Sequence, residues 1–144
     1  MTPDINIRQA TSDDALCIAV LGAQVFADTY ATEGIWAGIA REILSLFSID
    51  AIAKTLANPS VIVLVAEREK HLVGFVELDV TATHELVPPG KACEVARLYV
   101  QERFVGKGIG TLLLRAAERE GTNRGASFIW MTIWVYNARA LQFY

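Results

Sequence analysis

The sequence predicts an α/β fold, more closely an α+β mixed sheet with helices on both faces. Three observations predict it. Apolar runs at 61–66 and 72–80 flank a short charged segment, the pattern of an antiparallel hairpin. A run at 91–100 leads through a helical pattern to another at 128–135, and such a strand–helix–strand unit is expected as a right-handed crossover with parallel strands. Finally, 144 residues of which 53% are apolar suffice for one core and leave no room for two ordinary domains. Residues 1–144 are therefore read as a single domain.

In chain order, Ile5-Asn6-Ile7-Arg8 alternates like a short strand. Thr11 is placed to cap a helix with Asp13 and Asp14 in its first turn, running to about Tyr30. Residues 31–49 are mixed, and short helical pieces are expected there. Asp50 to Ala57 reads as a helix stopped by Asn58-Pro59. Val61–Ala66 and Leu72–Val80 are the hairpin strands, with Glu67 to His71 as the turn. Thr81 to Gly90 is a loop containing Pro88-Pro89-Gly90, and Lys91 to Val100 is the next strand.

The strongest local signal is at 98–120. Leu98-Tyr99-Val100 runs into a polar turn holding Gly106, Gly108 and Gly110. A helical pattern with Ile109, Leu112, Leu113, Ala116 and Ala117 follows. Strand, glycine loop and helix together aim several backbone amides at one spot, and Lys107 adds a positive charge. A tight turn that needs glycine for its dihedrals explains glycines alone. The ordered combination favours a phosphate site. Neither the P-loop nor the G-x-G-x-x-G dinucleotide spacing is met.

The segment resembles the coenzyme A pyrophosphate loop of the GCN5-related N-acetyltransferases (GNAT superfamily). That family's pattern is Gln/Arg-x-x-Gly-x-Gly/Ala after a strand. Gly108-Ile109-Gly110 match the glycine positions, with Val105 where Gln or Arg is usual. A second stretch is also similar. Phe128 to Val135 reads as a buried strand, Asn137 as an N-cap, and Ala138 to Leu141 as a helix start, with Phe143-Tyr144 following. In the family the strand after the coenzyme helix ends in an Asn and a short helix then carries a Tyr. The N-terminal half, from Ile5 onward, is similar too.

The resemblance implies acetyl-CoA as cofactor and acetyl transfer to a small-molecule or peptide amine. It implies that Leu98, Tyr99 and Val100 offer backbone groups to the pantetheine arm, in a gap where a bulged strand splays from its neighbour. Val105, Gly106, Lys107, Gly108, Ile109, Gly110 and Thr111 would hold the pyrophosphate, and Asn137 would touch the pantetheine or adenosine end. Tyr144 stands where the family places a proton donor for the leaving thiolate; packing of its ring is the other reading. The acceptor side falls on Phe26, Tyr30 and Trp36, whose context looks like the polyamine-acetylating branch, although rings at near-helical spacing also suit a core. A protein N-terminal or lysine acetyltransferase, and a non-catalytic acyl-CoA-binding regulator, stand as alternatives. The family usually continues into a final strand pair. A chain ending at Tyr144 is expected to be truncated or to have its sheet completed by a partner chain, as in a homodimer.

Acyl transfer to an amine requires a base for one amine proton. Glu94, at the start of the central strand, and Glu77, on its neighbour, are the candidates, with a water chain as the alternative. The net charge of −3 and the lack of a long basic run disfavour nucleic acid as a partner. No apolar stretch approaches the ~20 residues of a membrane span, and the first ten residues lack a signal peptide's apolar core, so a cytoplasmic protein is expected. Cys17 and Cys93 are read as buried small side chains in a reducing compartment. His71 and His84 stand apart in turn-like contexts, which argues against a metal site.

Overall fold

The computed structural model describes residues 4–87, 92–133 and 137–144. Among them lies a five-stranded sheet in the order β1-β2-β3-β4-β5. Its strands are β1 (Asn6–Gln9), β2 (Val61–Arg68), β3 (His71–Asp79), β4 (Ala92–Val100) and β5 (Phe128–Trp130). The first four pair antiparallel in sequence, and β4 pairs β5 in parallel. The mixed sheet expected from the sequence is present.

Side-chain alternation divides the core between two faces. Ile62, Leu64 and Ala66 of β2 point with Val76 and Leu78 of β3 toward helix α4 (Ile109–Asn123), which contributes Ile109, Leu113, Ala116 and Ala117. Val63 and Val65 point with Phe75 to the other face, where α1 (Ala15–Tyr30), α2 (Ala37–Leu46) and α3 (Ile49–Ala57) lie. A strand buried on both faces reads as a continuous apolar run, which is why β2 is legible without alternation. Complete burial of a side chain such as Leu113, at 0% exposure, contributes about 1.5–3 kcal/mol.

Local chemistry fixes the helix ends. Ser48 caps α3 by accepting a hydrogen bond from Ala51 N at 3.0 Å. A 3-10 turn, Ser12–Asp14, precedes α1. There the Asp14 carboxylate accepts from Thr11 N at 2.7 Å and from both Arg8 guanidinium nitrogens at 2.9 Å. Arg8 also donates to Glu67 at 3.0 Å, so β1, β2 and the start of α1 are joined by one cation. The α1 positions buried are Ala15, Ile18, Ala19, Leu21 and Gly22. Cys17 falls between them and is exposed, contrary to the buried reading, because the helical period turns it outward.

Two other expectations are corrected. The hairpin turn contracts from 67–71 to Glu69-Lys70, both left-handed (φ +50° and +69°), which is the geometry of a two-residue type I′ connection. The strand expected from Phe128 to Val135 is paired only at Phe128–Trp130; 134 and 135 lie outside the described residues, as do 88–91 with Pro88-Pro89-Gly90 and Lys91. Among the described residues, no helix is long and apolar enough to cross a membrane.

Candidate active site

The glycine loop follows β4 and a second 3-10 turn, Glu102–Phe104. Gly106 and Gly108 have φ of +84° and +85°, and a Cβ on either would meet nothing within 4 Å. Glycine is thus required here by conformation, and the space outside the loop is open. Gly108 is the N-cap of α4, and among the described residues no side chain caps that helix. The amides of Ile109, Gly110 and Thr111 therefore begin the helix without a capping acceptor, at its positive end. Arg103 and Lys107 are both exposed beside them.

Beside the loop the sheet opens. Pairing of β4 with β5 covers Ala92–Phe128, Cys93–Ile129 and Glu94–Trp130. From Val95 to Val100, β4 has no partner on that side among the described residues. The cause lies in β4 itself. Glu77 faces Arg97 while Leu78 faces Val95, so Ala96 is an unpaired bulge residue. Beyond it, Leu98 and Val100 pack toward the α4 core and Tyr99 toward the α1 core. Their side chains are engaged, and their backbone edge faces the gap.

The bulge also decides which charges share a face. Glu94 lies opposite Asp79 and Arg97 opposite Glu77, so all four belong to the face that carries α1–α3. Glu77 and Glu94, the two base candidates, are thereby brought together. They are not equivalent. Glu77 is held by Arg97 at 3.1 Å, with side-chain exposures of 14% and 20%; burial pushes its carboxyl above the usual range, against the opposing pull of Arg97. Glu94 is also raised, first by burial and then by the charges of Asp79 and Glu77. The Tyr99 phenol is pushed up to about 12 by burial.

Aromatic rings floor this face. Tyr99 lies 5.3 Å from Phe75 and 6.1 Å from Phe47, Phe47 lies 5.6 Å from Phe26, and Phe26 lies 4.6 Å from Tyr30. Phe26 is half-buried in the α1-side core, while Tyr30 reaches 36% exposure at the end of α1. Trp36 is apart from this chain of rings. It is 70% exposed, and its ring lies over Gly38.

The last helix, α5 (Ala138–Phe143), starts at Asn137, whose Oδ1 accepts from Ala140 N at 3.1 Å. Its other end rests on the glycine loop. A Cβ on Gly110 would lie 3.3 Å from Phe143 Cζ. Tyr144 packs edge-on against Phe143 at 4.9 Å. Its phenol is pushed up to about 12 by burial, although the residue is 45% exposed.

Residues 29–144 match the Acetyltransferase (GNAT) family. The chain belongs to that family. An uncharacterised N-acetyltransferase in the pepI 3′ region of Lactobacillus delbrueckii subsp. lactis is 26% identical over 141 residues, covering 97% of this chain and 81% of the relative. The fold is similar to that of PaiA N-acetyltransferase from Thermoplasma acidophilum in complex with coenzyme A. That likeness has a TM-score of 0.83 at 24% identity and covers 98% of this chain and 86% of the other. It is also similar to aminoglycoside N-acetyltransferase AAC(6′)-Iy in complex with CoA, with a TM-score of 0.75 at 15% identity over 99% and 86% of the two chains.

As a GNAT protein the chain is an acetyl-CoA-dependent N-acetyltransferase. Its residues fit the coenzyme: open left-handed glycines, an uncapped helix start and an unpaired strand edge lie side by side. Gly106 and Gly108 are the left-handed glycines of the loop, and Gly110 lies in the first turn of α4.

Proposed function

We propose that the chain transfers acetyl from acetyl-CoA to a primary amine by direct attack, and that the acceptor is a small cationic amine of the polyamine class. Acetyl-CoA supplies the activated acyl group as a thioester. The backbone from Gly106 to Thr111, with Arg103 and Lys107, holds the pyrophosphate; the β4 edge from Leu98 to Val100 takes the pantetheine amides as an added strand would. Glu94 accepts the amine proton. Tyr144, protonated at neutral pH, donates to the departing sulfur. Asn137 is committed through its Oδ1 to capping α5, which leaves its side-chain NH2 for the coenzyme.

The observation that carries this reading is the adjacency of the uncapped α4 start, the open β4 edge and the α5 end resting on Gly110. The acceptor class is supported by the acidic face, where Asp79 and Glu94 sit opposite one another and would attract an ammonium group. Tyr30, exposed at the end of this chain of rings, offers the same group a cation–π surface. Aminoglycoside N-acetyltransferases share the fold, which supports a small amine as acceptor. Thiol release from acetyl-CoA with spermidine, an aminoglycoside and a peptide with a free N-terminus tests it. Turnover with spermidine is expected. Turnover confined to the peptide would replace the polyamine reading with protein acetylation, and binding without turnover would leave an acyl-CoA-binding regulator.

A further inference from the structure

Two carboxylates share the acceptor face, and the structure treats them differently through one side chain. Regular alternation would turn residue 97 to the face of Val95, into the apolar core beneath α4. The extra residue at Ala96 turns Arg97 the other way, opposite Glu77. There its guanidinium makes two contacts at once: Nη1 donates to Glu77 Oε1 at 3.1 Å, and its central carbon stands 4.9 Å from the centroid of the Phe47 ring. Glu94, three residues earlier on the same strand, makes no such ion pair among the described residues.

We propose that Arg97 is a positioning residue that engages Glu77 and thereby leaves Glu94 as the carboxylate that accepts the amine proton. The inference rests on the acetyl-transfer reading above and deepens it. A shielded carboxylate bound to guanidinium has its lone pair and its charge already committed, so moving a proton onto it costs the ion pair. The charged groups that bear on Glu94 are Asp79 and Glu77 from β3 and His84 from the following loop; Arg97 and Tyr99 lie further along the same face of β4, with Tyr30 of α1 bearing on Tyr99. Arg97 is paired with Glu77, whereas Asp79 and Glu94 stand opposite one another next to where β4 separates from β5. The bulge therefore has two effects: it opens the coenzyme gap, and it delivers the cation that sorts the two acids.

Carboxyl-resolved 13C NMR titration of the glutamates tests the sorting without an acceptor. In Arg97→Met, Glu77 is expected to titrate at higher pH than in the wild type, and in Glu77→Gln, Glu94 is expected to titrate at lower pH. Turnover with spermidine, neamine and an N-terminal peptide adds the functional reading. Glu77→Gln should cost less than about tenfold in kcat/KM, and Glu94→Gln about 100-fold. An unmoved Glu77 titration in Arg97→Met, or a loss in Glu77→Gln as deep as in Glu94→Gln, would overturn the proposal. Full activity in Glu94→Gln with the Glu77 shift intact would instead overturn the choice of base in the acetyl-transfer reading. Should Arg97→Met not fold, Glu77→Gln decides the matter alone.

Discussion

Gly110 and Phe143 meet across the glycine loop: a Cβ on Gly110 would come within 3.3 Å of Phe143 Cζ. Tyr144 packs edge-on against the same Phe143 ring at 4.9 Å, so one ring links the start of α4 to the residue proposed above as proton donor. Phe143→Ala should release Tyr144 from the loop. It is expected to lower kcat at least tenfold, with acetyl-CoA affinity within a few-fold of wild type. Steady-state kinetics with calorimetric Kd values separate the two. A loss confined to affinity would mean that α5 serves only coenzyme binding.

Tyr144→Phe keeps the ring and removes the proton. A general acid of this kind contributes ~10²-fold or more, so kcat is expected to fall by about that factor while acetyl-CoA binds as before. Wild-type turnover would return Tyr144 to a packing role.

With Glu94 as the proposed base, the acid limb of the kcat/KM profile is expected to report its ionisation in the free enzyme. Burial raises Glu94 first, and the Asp79 charge is the next cause. Asp79→Asn removes that charge, so Glu94 should ionise more easily and the limb should move to lower pH. A limb that moves upward or stays fixed would show that another group is the base.

Stability has its own pH signature. Arg8 holds the Asp14 carboxyl below its ordinary value of 3.8. A depressed carboxyl contributes stability that is fully present above the unfolded value and is lost as pH falls through the folded one. Unfolding free energy should therefore decline below about pH 4 in the wild type, and less steeply in Asp14→Ala. At neutral pH that substitution is expected to cost roughly 1–3 kcal/mol, through the lost charged hydrogen bonds and the bereft Arg8. Urea denaturation at pH 7 and pH 3 gives both numbers.

Much of this architecture is legible in the sequence because it follows from periodicity. The hairpin, the β4–α4–β5 unit, the Thr11 start and the Asn137 cap all rest on patterns along the chain. What is not legible depends on partners distant in sequence. Glu94 and Arg97 are three apart, which in a regular strand means opposite faces; only the bulge at Ala96 unites them. Phe128 onward is apolar enough for a long strand, yet among the described residues pairing ends at Trp130 because β4 has turned away. Phe26 and Tyr30 were readable as either core or acceptor wall, and the structure gives them different exposures along one ring stack. The Arg8–Asp14–Glu67 cluster spans 59 residues between Arg8 and Glu67 and leaves no local trace.

Calorimetric titration of acetyl-CoA into the wild type and Gly108→Asp tests the central claim most directly. Gly108 is left-handed at φ +85°, a conformation costing a side-chain-bearing residue about 1–2 kcal/mol, and an aspartate there adds negative charge where the pyrophosphate is to be held. With folding verified by circular dichroism, the account predicts saturable binding to the wild type and none detectable to the variant. Equal affinity in both proteins would contradict the placement of the coenzyme on this loop.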